Sequence, residues 1–241
     1  MKGIAWNPWH GCSKISEGCA NCWLYRMDGK YGRDTAAVTR SKSAFDLPLK
    51  KDRSGAYKVV SDTQVATCFS SDFFIEAADS WRDEAWEIIR ARSDLEFLIP
   101  TKRICRINDC LPRDWGEGYD NVLIAVSVEN QKRADERIPY LLNAPLKKRG
   151  IFAAPLIGRI DLSPYFESGR IDLVSAAGES CFGARECRFE WVEALREECL
   201  AHGAVFRYHQ TGSNLVKDGV RYRIPRKKEY EQAKKAFREK T

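Results

Sequence analysis

Apolar residues in this chain gather into short runs separated by amphipathic stretches. Residues 65–69, 95–99, 121–126, 150–154, 171–177 and 204–208 are each bounded by polar or turn residues. That is the pattern of strands buried on both faces. Between these runs apolar positions recur at helical spacing: Trp81, Ala85, Ile88 and Ile89; then Ala134, Ile138, Leu141 and Leu142; then Val192, Leu195 and Cys199. Pro139 is expected to kink the second of these helices. Short apolar strands alternating with amphipathic helices predict an α/β fold with a parallel sheet. A further run at Ile4-Ala5-Trp6 extends the series, which suits an open or partial barrel better than two domains.

The same pattern places polar residues at most strand ends: Asp72, Lys102, Ser127 and Glu129, Glu179 and Ser180, His209 and Gln210. In parallel barrels the C-terminal strand ends form the active site, so these groups are expected to meet at one mouth. Any one of them has a plain structural reading as a turn residue or helix cap. Their coincidence across the strands favours a catalytic or ligand-binding site.

The first predicted strand leads into a loop carrying Cys12, Cys19 and Cys22, with six residues between the first two and two between the last pair. Pro8, Gly11 and Gly18 mark the first half as irregular, and Ala20, Trp23, Leu24 and Met27 have the spacing of a helix start. Three thiolates at one point with a fourth corner open suit an iron–sulfur cluster with one free iron. With His10 they equally suit a closed Cys3His zinc site. A disulfide is disfavoured by the odd count of nine cysteines in a chain with no mark of secretion. The other six cysteines read as small buried residues.

Composition narrows the class. The chain has 241 residues, 44% hydrophobic and 31% charged, as in an ordinary soluble domain with a sizeable core. No run of eighteen apolar residues offers a membrane span, and the first residues lack the apolar region of a signal peptide, so a cytoplasmic location is expected. The net charge is +6, and residues 217–241 hold ten Lys and Arg against four Asp and Glu, which accounts for the whole excess. A basic tail can meet the phosphates of nucleic acid. It can also be a solvated helix docked through Tyr230, Ala233 and Phe237. Residues 28–62 are polar and weakly periodic, an expected irregular insertion that could serve as a substrate-facing flap.

Several short motifs recur in order: Trp6-Asn7-Pro8, Gly11-Cys12, Gly18-Cys19, Asn21-Cys22, Ser71-Asp72, Thr101-Lys102-Arg103, Val126-Ser127-Val128-Glu129-Asn130-Gln131, Pro155-Leu156-Ile157-Gly158 and Gly178-Glu179-Ser180. In this combination the chain resembles the phage gene-product 37 / gene-product 68 family, a domain of unknown function that is similar to radical S-adenosylmethionine (SAM) enzymes. The resemblance implies a partial (β/α)6-type, TIM-like barrel over residues 1–214, with the cysteine loop at its mouth and residues 215–241 as a basic C-terminal tail. It further implies a [4Fe-4S] cluster on Cys12, Cys19 and Cys22 whose open iron binds SAM. One-electron reduction, by a donor such as a flavodoxin or ferredoxin, would cleave SAM to a 5′-deoxyadenosyl radical that abstracts hydrogen from a substrate.

On that reading Asp72, Ser127 and Glu129 suit the amino group and ribose hydroxyls of SAM, Glu179 and Ser180 serve either ligand, and Lys102 and Arg103 suit a carboxylate or phosphate. Lys102 and His209 are the candidate catalytic residues, His209 as a proton carrier near neutral pH. Tyr208 would be a hydrogen donor only if it pointed inward, and alternation allows only one of Tyr208 and His209 to do so. The substrate class expected is a nucleotide or nucleic-acid base, from the basic tail, the phage association and the aromatics Trp9, Trp23, Tyr25 and Tyr31.

The chain departs from its relatives in four places. Radical SAM enzymes mostly place three residues, not six, between the first two cysteines, and an aromatic residue where Asn21 stands. Ala153-Ala154 replaces a pair that ends in glutamate, and His209-Gln210-Thr211-Gly212 replaces Lys-Gln-Trp-Gly. A competing reading is a non-catalytic, zinc- or cluster-stabilised nucleic-acid-binding protein. A barrel metal hydrolase is disfavoured, because the chain has only three histidines and no carboxylate–histidine pair at ligand spacing.

Overall fold

The apolar runs pair into one sheet. The computed structural model describes residues 3–167 and 171–237. It contains seven parallel strands, β1 Gly3–Trp6, β2 Gln64–Thr67, β3 Glu96–Thr101, β4 Val122–Val128, β5 Arg149–Ala153, β6 Leu173–Ala177 and β7 Val205–Gln210, hydrogen-bonded in chain order. The sheet curls into a half-barrel flanked by helices, with β1 and β7 as its two edges. Strands β4 and β6 are buried along almost their whole length, which explains their continuous apolar character: side chains on both faces meet the core or the helices.

The helices follow the expected stripes. After the cysteine loop comes α1 Trp23–Lys30, starting three residues later than the spacing suggested. Helix α2 Asp79–Ala91 buries Ala85, Ile88 and Ile89, but its large anchor is Trp86. Trp86 packs at 4.8 Å from Phe73 and 5.1 Å from Trp115. Helix α3 Gln131–Asn143 buries Ala134, Ile138 and Leu141 and runs through Pro139. Its N-cap, Asn130, accepts a hydrogen bond from the Arg133 backbone N–H at 3.1 Å. Helix α4 Phe189–Ala201 buries Val192, Leu195 and Cys199 as expected.

The polar insertion is not a flap over the strand ends. None of residues 28–62 lines the cavity described below. The insertion wraps the β1–β2 side instead. The Trp6 indole donates to the Phe45 carbonyl at 2.9 Å, and Thr39–Arg40 pairs with Trp9–His10. The buried Arg92 donates to the carbonyls of Val59, at 2.7 Å, and Pro48. An apolar replacement, Arg92→Met, leaves both carbonyls without their donor at a cost of about 2 kcal/mol. It is expected to make 31–62 the first site of limited proteolysis and to lower the melting temperature by several degrees. An unchanged cleavage pattern and melting temperature would remove Arg92 as the clamp.

The tail forms two elements. Asn214–Lys217 (β8) and Val220–Arg223 (β9) make a hairpin whose turn residues, Asp218 and Gly219, both have positive φ (51° and 73°), the conformation that Asp-Gly favours. Helix α5 Arg226–Ala236 then lies against the edge strand β7. Ala233 is buried, and Phe237 stacks on Phe189 at 5.4 Å. Tyr230 does not dock as expected but stays half exposed. Residues 238–241 of the basic tail lie outside the described residues. Among the described residues no helix is long and apolar enough to cross a membrane.

Candidate functional site

The C-terminal strand ends and the cysteine loop enclose a cavity of ≈ 370 Å³. Its walls include Cys12, Cys19 and Cys22 from the loop, Asp72 after β2, Lys102 and Arg103 after β3, Ser127 in β4, Glu179 and Ser180 after β6, and His209 and Gln210 in β7. Of the strand-end residues singled out in the sequence, only Glu129 is missing from this lining. A smaller cavity, ≈ 200 Å³, lies at the opposite end of the strands around Gln64, Glu96 and Asp172.

Glu129 has turned beneath the cysteine loop. It is fully buried, with Ser16 Oγ donating to Oε1 at 2.9 Å, Arg137 Nη1 to Oε2 at 3.0 Å, and Lys102 Nζ 3.4 Å from Oε1. The loop passes so close that a Cβ on Gly18 would overlap the Glu129 side chain, so the glycine is there for its missing side chain. The next turn is tied to the same strand end. Glu17 accepts from Asn130 Nδ2 at 2.6 Å and from Arg133 Nη2 at 2.6 Å, and these bonds pull its carboxyl down to about 2.

Two further clamps fix the loop. Arg103 Nη2 donates to the Ser13 carbonyl at 2.9 Å and its hydroxyl at 2.7 Å, and Nη1 lies 3.7 Å from Cys12 Sγ. Burial pushes the Cys12 thiol up to about 11, with Arg103 pulling the other way. On the far side Asn21 Nδ2 donates to Glu179 Oε2 at 2.8 Å, and Arg185 pairs with Glu179 Oε1 at 2.5 Å. Burial raises the Glu179 pKa, but these hydrogen bonds outweigh it and leave it below the usual carboxylate value. Arg103 and Glu179 therefore shape the loop as well as the cavity.

Asp72 is buried and heavily engaged: it accepts from Thr101 Oγ1 at 2.7 Å, Lys102 N at 2.9 Å and Phe74 N at 3.0 Å, and lies 3.4 Å from Arg103. Lys102 Nζ, one-fifth exposed, sits between Glu129 and the Ala154 carbonyl at 3.4 Å from each. Ser180 accepts from Gln210 Nε2 at 2.6 Å and donates to Glu229, a carboxylate of α5 that is 1% exposed. His209 occupies a bulge where the β7–β6 register shifts, which turns it to the cavity mouth. Tyr208 points the other way, buried against Phe189 and Phe237. The choice left open by alternation thus falls to His209, where desolvation lowers the imidazole pKa.

Other sequence expectations change. Trp9 is fully buried, 5.3 Å from Phe73, so it is core rather than a surface for bases. Cys105 is exposed and Cys181 half-buried, while Cys68, buried as expected, lines the same cavity. His10 Nε2 is bonded to both oxygens of Asp28, at 2.9 and 3.0 Å, and is not part of the cavity lining. Gly18, Asn21, Arg137, Arg185 and Glu229 escaped the sequence reading of the site. Gly18 and Asn21 did stand beside the cysteines, whereas nothing local marks Arg137 or Glu229.

Comparison with curated proteins and with solved structures gives no match. Residues 2–239 match the family described as DUF5131, a protein of unknown function, and the chain belongs to that family.

Proposed function

We propose that this chain is a radical SAM-type enzyme. Cys12, Cys19 and Cys22 would hold a [4Fe-4S] cluster, and SAM would occupy the adjoining cavity. One observation carries the reading: three cysteines on a clamped loop share a cavity with the polar strand ends of a parallel half-barrel. The donor set fits a cluster better than a single ion. The closed Cys3His zinc alternative needs His10, which is committed to Asp28, whereas a cubane takes the three thiolates alone and keeps one iron open. The resemblance to the phage gene-product 37 / gene-product 68 family supports the same conclusion.

When bound and reduced by one electron, such a cluster supplies cleavage of SAM to a 5′-deoxyadenosyl radical. The chain's own residues would bind and orient. Lys102 offers a cation to a carboxylate, and Ser127 offers a hydroxyl on the cavity wall. Asp72 and Glu179, each already paired with an arginine, would offer an amino group or ribose hydroxyls acceptor oxygens rather than free charge. Glu129 acts from beneath, fixing the loop and Lys102 rather than touching ligand. His209, at the mouth, is placed to move a proton on the substrate side.

Anaerobic purification with iron and sulfide analysis, a visible spectrum with and without SAM, and an assay for 5′-deoxyadenosine with dithionite test the proposal. The expected result is a brown protein with about four iron per chain that forms 5′-deoxyadenosine. A colourless protein with one tight zinc, unchanged after attempted reconstitution, would overturn it in favour of a structural loop.

A further inference from the structure

The cavity mouth carries more exposed aromatic surface than its chemistry requires. Trp23 and Phe69 line the wall, yet each is 42% exposed. Phe182 is wholly in solvent, two residues beyond the wall residue Ser180. Its loop is anchored: Asn21 Nδ2 lies 3.4 Å from the Gly183 carbonyl, and Asn214 Nδ2 donates to the Ala184 carbonyl at 3.0 Å. Tyr230 stands half exposed with its ring edge-on to His209, centroids 5.8 Å apart. Single exposed aromatics are ordinary, but two on the cavity wall, a third against His209 and a fourth two residues beyond Ser180 mark a contact surface.

The charge at this rim is positive. The negative groups of the wall are already matched: Asp72 by Arg103, Glu179 by Arg185, and Glu129 beneath them by Arg137. On the β7 side, α5 touches the site through Glu229, bonded to Ser180, and through Tyr230. The residues just before these, Arg226, Lys227 and Lys228, are exposed and make no ion pair among the described residues. A ligand that fits must bring flat apolar faces and a spaced series of negative charges. Single-stranded nucleic acid has both, because every base offers a π-face and every linkage a phosphate; a duplex hides its base faces.

We infer that the cavity mouth binds single-stranded nucleic acid, with bases stacked on Phe69, Phe182 and Tyr230 and the backbone held by Arg226, Lys227 and Lys228. Resting on the cavity being the reaction site, this makes the substrate a nucleotide within a strand. Nucleotides flanking the target lie on the rim, and one base enters the opening beside His209.

Fluorescence anisotropy with labelled 20-nucleotide single strands of DNA and of RNA tests it on the full chain, with duplex DNA and polyglutamate as competitors. The expected result is tighter binding of a single strand, of one or both sugars, than of duplex. Affinity should fall about tenfold in each of Phe182→Ala and Tyr230→Ala, the usual loss per stacked base. Lys227→Gln with Lys228→Gln should lower the slope of log affinity against log salt by roughly 1.4. Equal binding of duplex, equal competition by polyglutamate, or affinities unmoved by the aromatic variants would overturn the inference. 5′-Deoxyadenosine formation, measured on the same preparations without nucleic acid, reports separately on the cluster. A protein that cleaves SAM but binds no strand sinks only the strand inference; one that binds strands but takes up no iron on reconstitution sinks the radical reading and the strand's role as substrate, and leaves the binding surface standing.

Discussion

Replacing Glu129 with alanine is expected to destabilise the protein by about 3–5 kcal/mol, the usual result of removing one partner from a buried ion pair. The carboxylate is fully buried and is the pairing partner of Arg137, itself almost buried. Alanine leaves that guanidinium without a counter-charge and opens a gap under Gly18. The loss has a second consequence, because Ser16 and Lys102 are held by the same carboxylate. The cysteine loop should loosen and Lys102 should drift from the cavity wall. Urea denaturation reads the first effect as a lower midpoint at constant slope. A double variant, Glu129→Ala with Arg137→Met, separates charge from packing. If the unpaired guanidinium dominates, the double variant recovers part of the stability lost in the single one. If both variants fall equally, the gap rather than the charge sets the cost, and the account of Glu129 as an electrostatic post fails.

That expectation marks where the sequence stopped being readable. The central strands β4 and β6 follow from their apolar runs because a strand buried on both faces must be apolar throughout. The edge strand β7 is exposed along much of its length and is legible only as a short apolar run. The polar residue ending most runs then lies at the mouth by topology. Asp72, Lys102, Ser127, Glu179 and Ser180 reached the cavity in this way, while His209 needed the bulge in β7 to do so. Glu129 did not, although it ends β4 as regularly as the others. Its direction is set by Gly18, Arg137 and Lys102, which come from other parts of the chain and leave no period in the sequence. Trp9 failed for the converse reason. An aromatic in a loop has no local signature of burial, and only the arrival of Phe73 and Trp81 makes it core.

The tail shows both limits at once. Its charge excess was plain, and so was the apolar spacing of Ala233 and Phe237, which do dock the helix. The buried Glu229 was invisible, because a glutamate among lysines reads as a solvated helical residue. Its burial depends on hydroxyls far along the chain, at Ser180 and Ser213. Through it the last helix reaches the cavity wall. The C-terminal segment therefore belongs to the site physically, although by composition it stands apart.

The largest functional effect is expected from the loop cysteines. If the proposed cluster is right, Cys12→Ala, Cys19→Ala and Cys22→Ala should each reduce retained iron to a trace and bring 5′-deoxyadenosine formation below detection, because a three-thiolate site has no spare ligand. The cavity supplies its own control. Cys68 lines the same space, but it is almost wholly buried at the end of β2, and burial raises its thiol pKa well above the ordinary value. A thiol held neutral is a poor ligand, since the thiolate is the form that binds metal. Cys12 is raised by burial too, to about 11 with Arg103 pulling the other way, so place separates the two: Cys12 is half-buried on the loop clamped at both ends that also carries Cys19 and Cys22, and Cys68 is not. Cys68→Ala should therefore keep its iron and its activity, with at most a small loss of stability. Urea midpoints of the metal-free loop variants should stay near that of the metal-free parent, because the three loop cysteines are only partly buried. Loss of iron in Cys68→Ala together with retention in Cys12→Ala would exchange their roles, placing the metal deeper in the half-barrel and leaving the clamped loop as a lid.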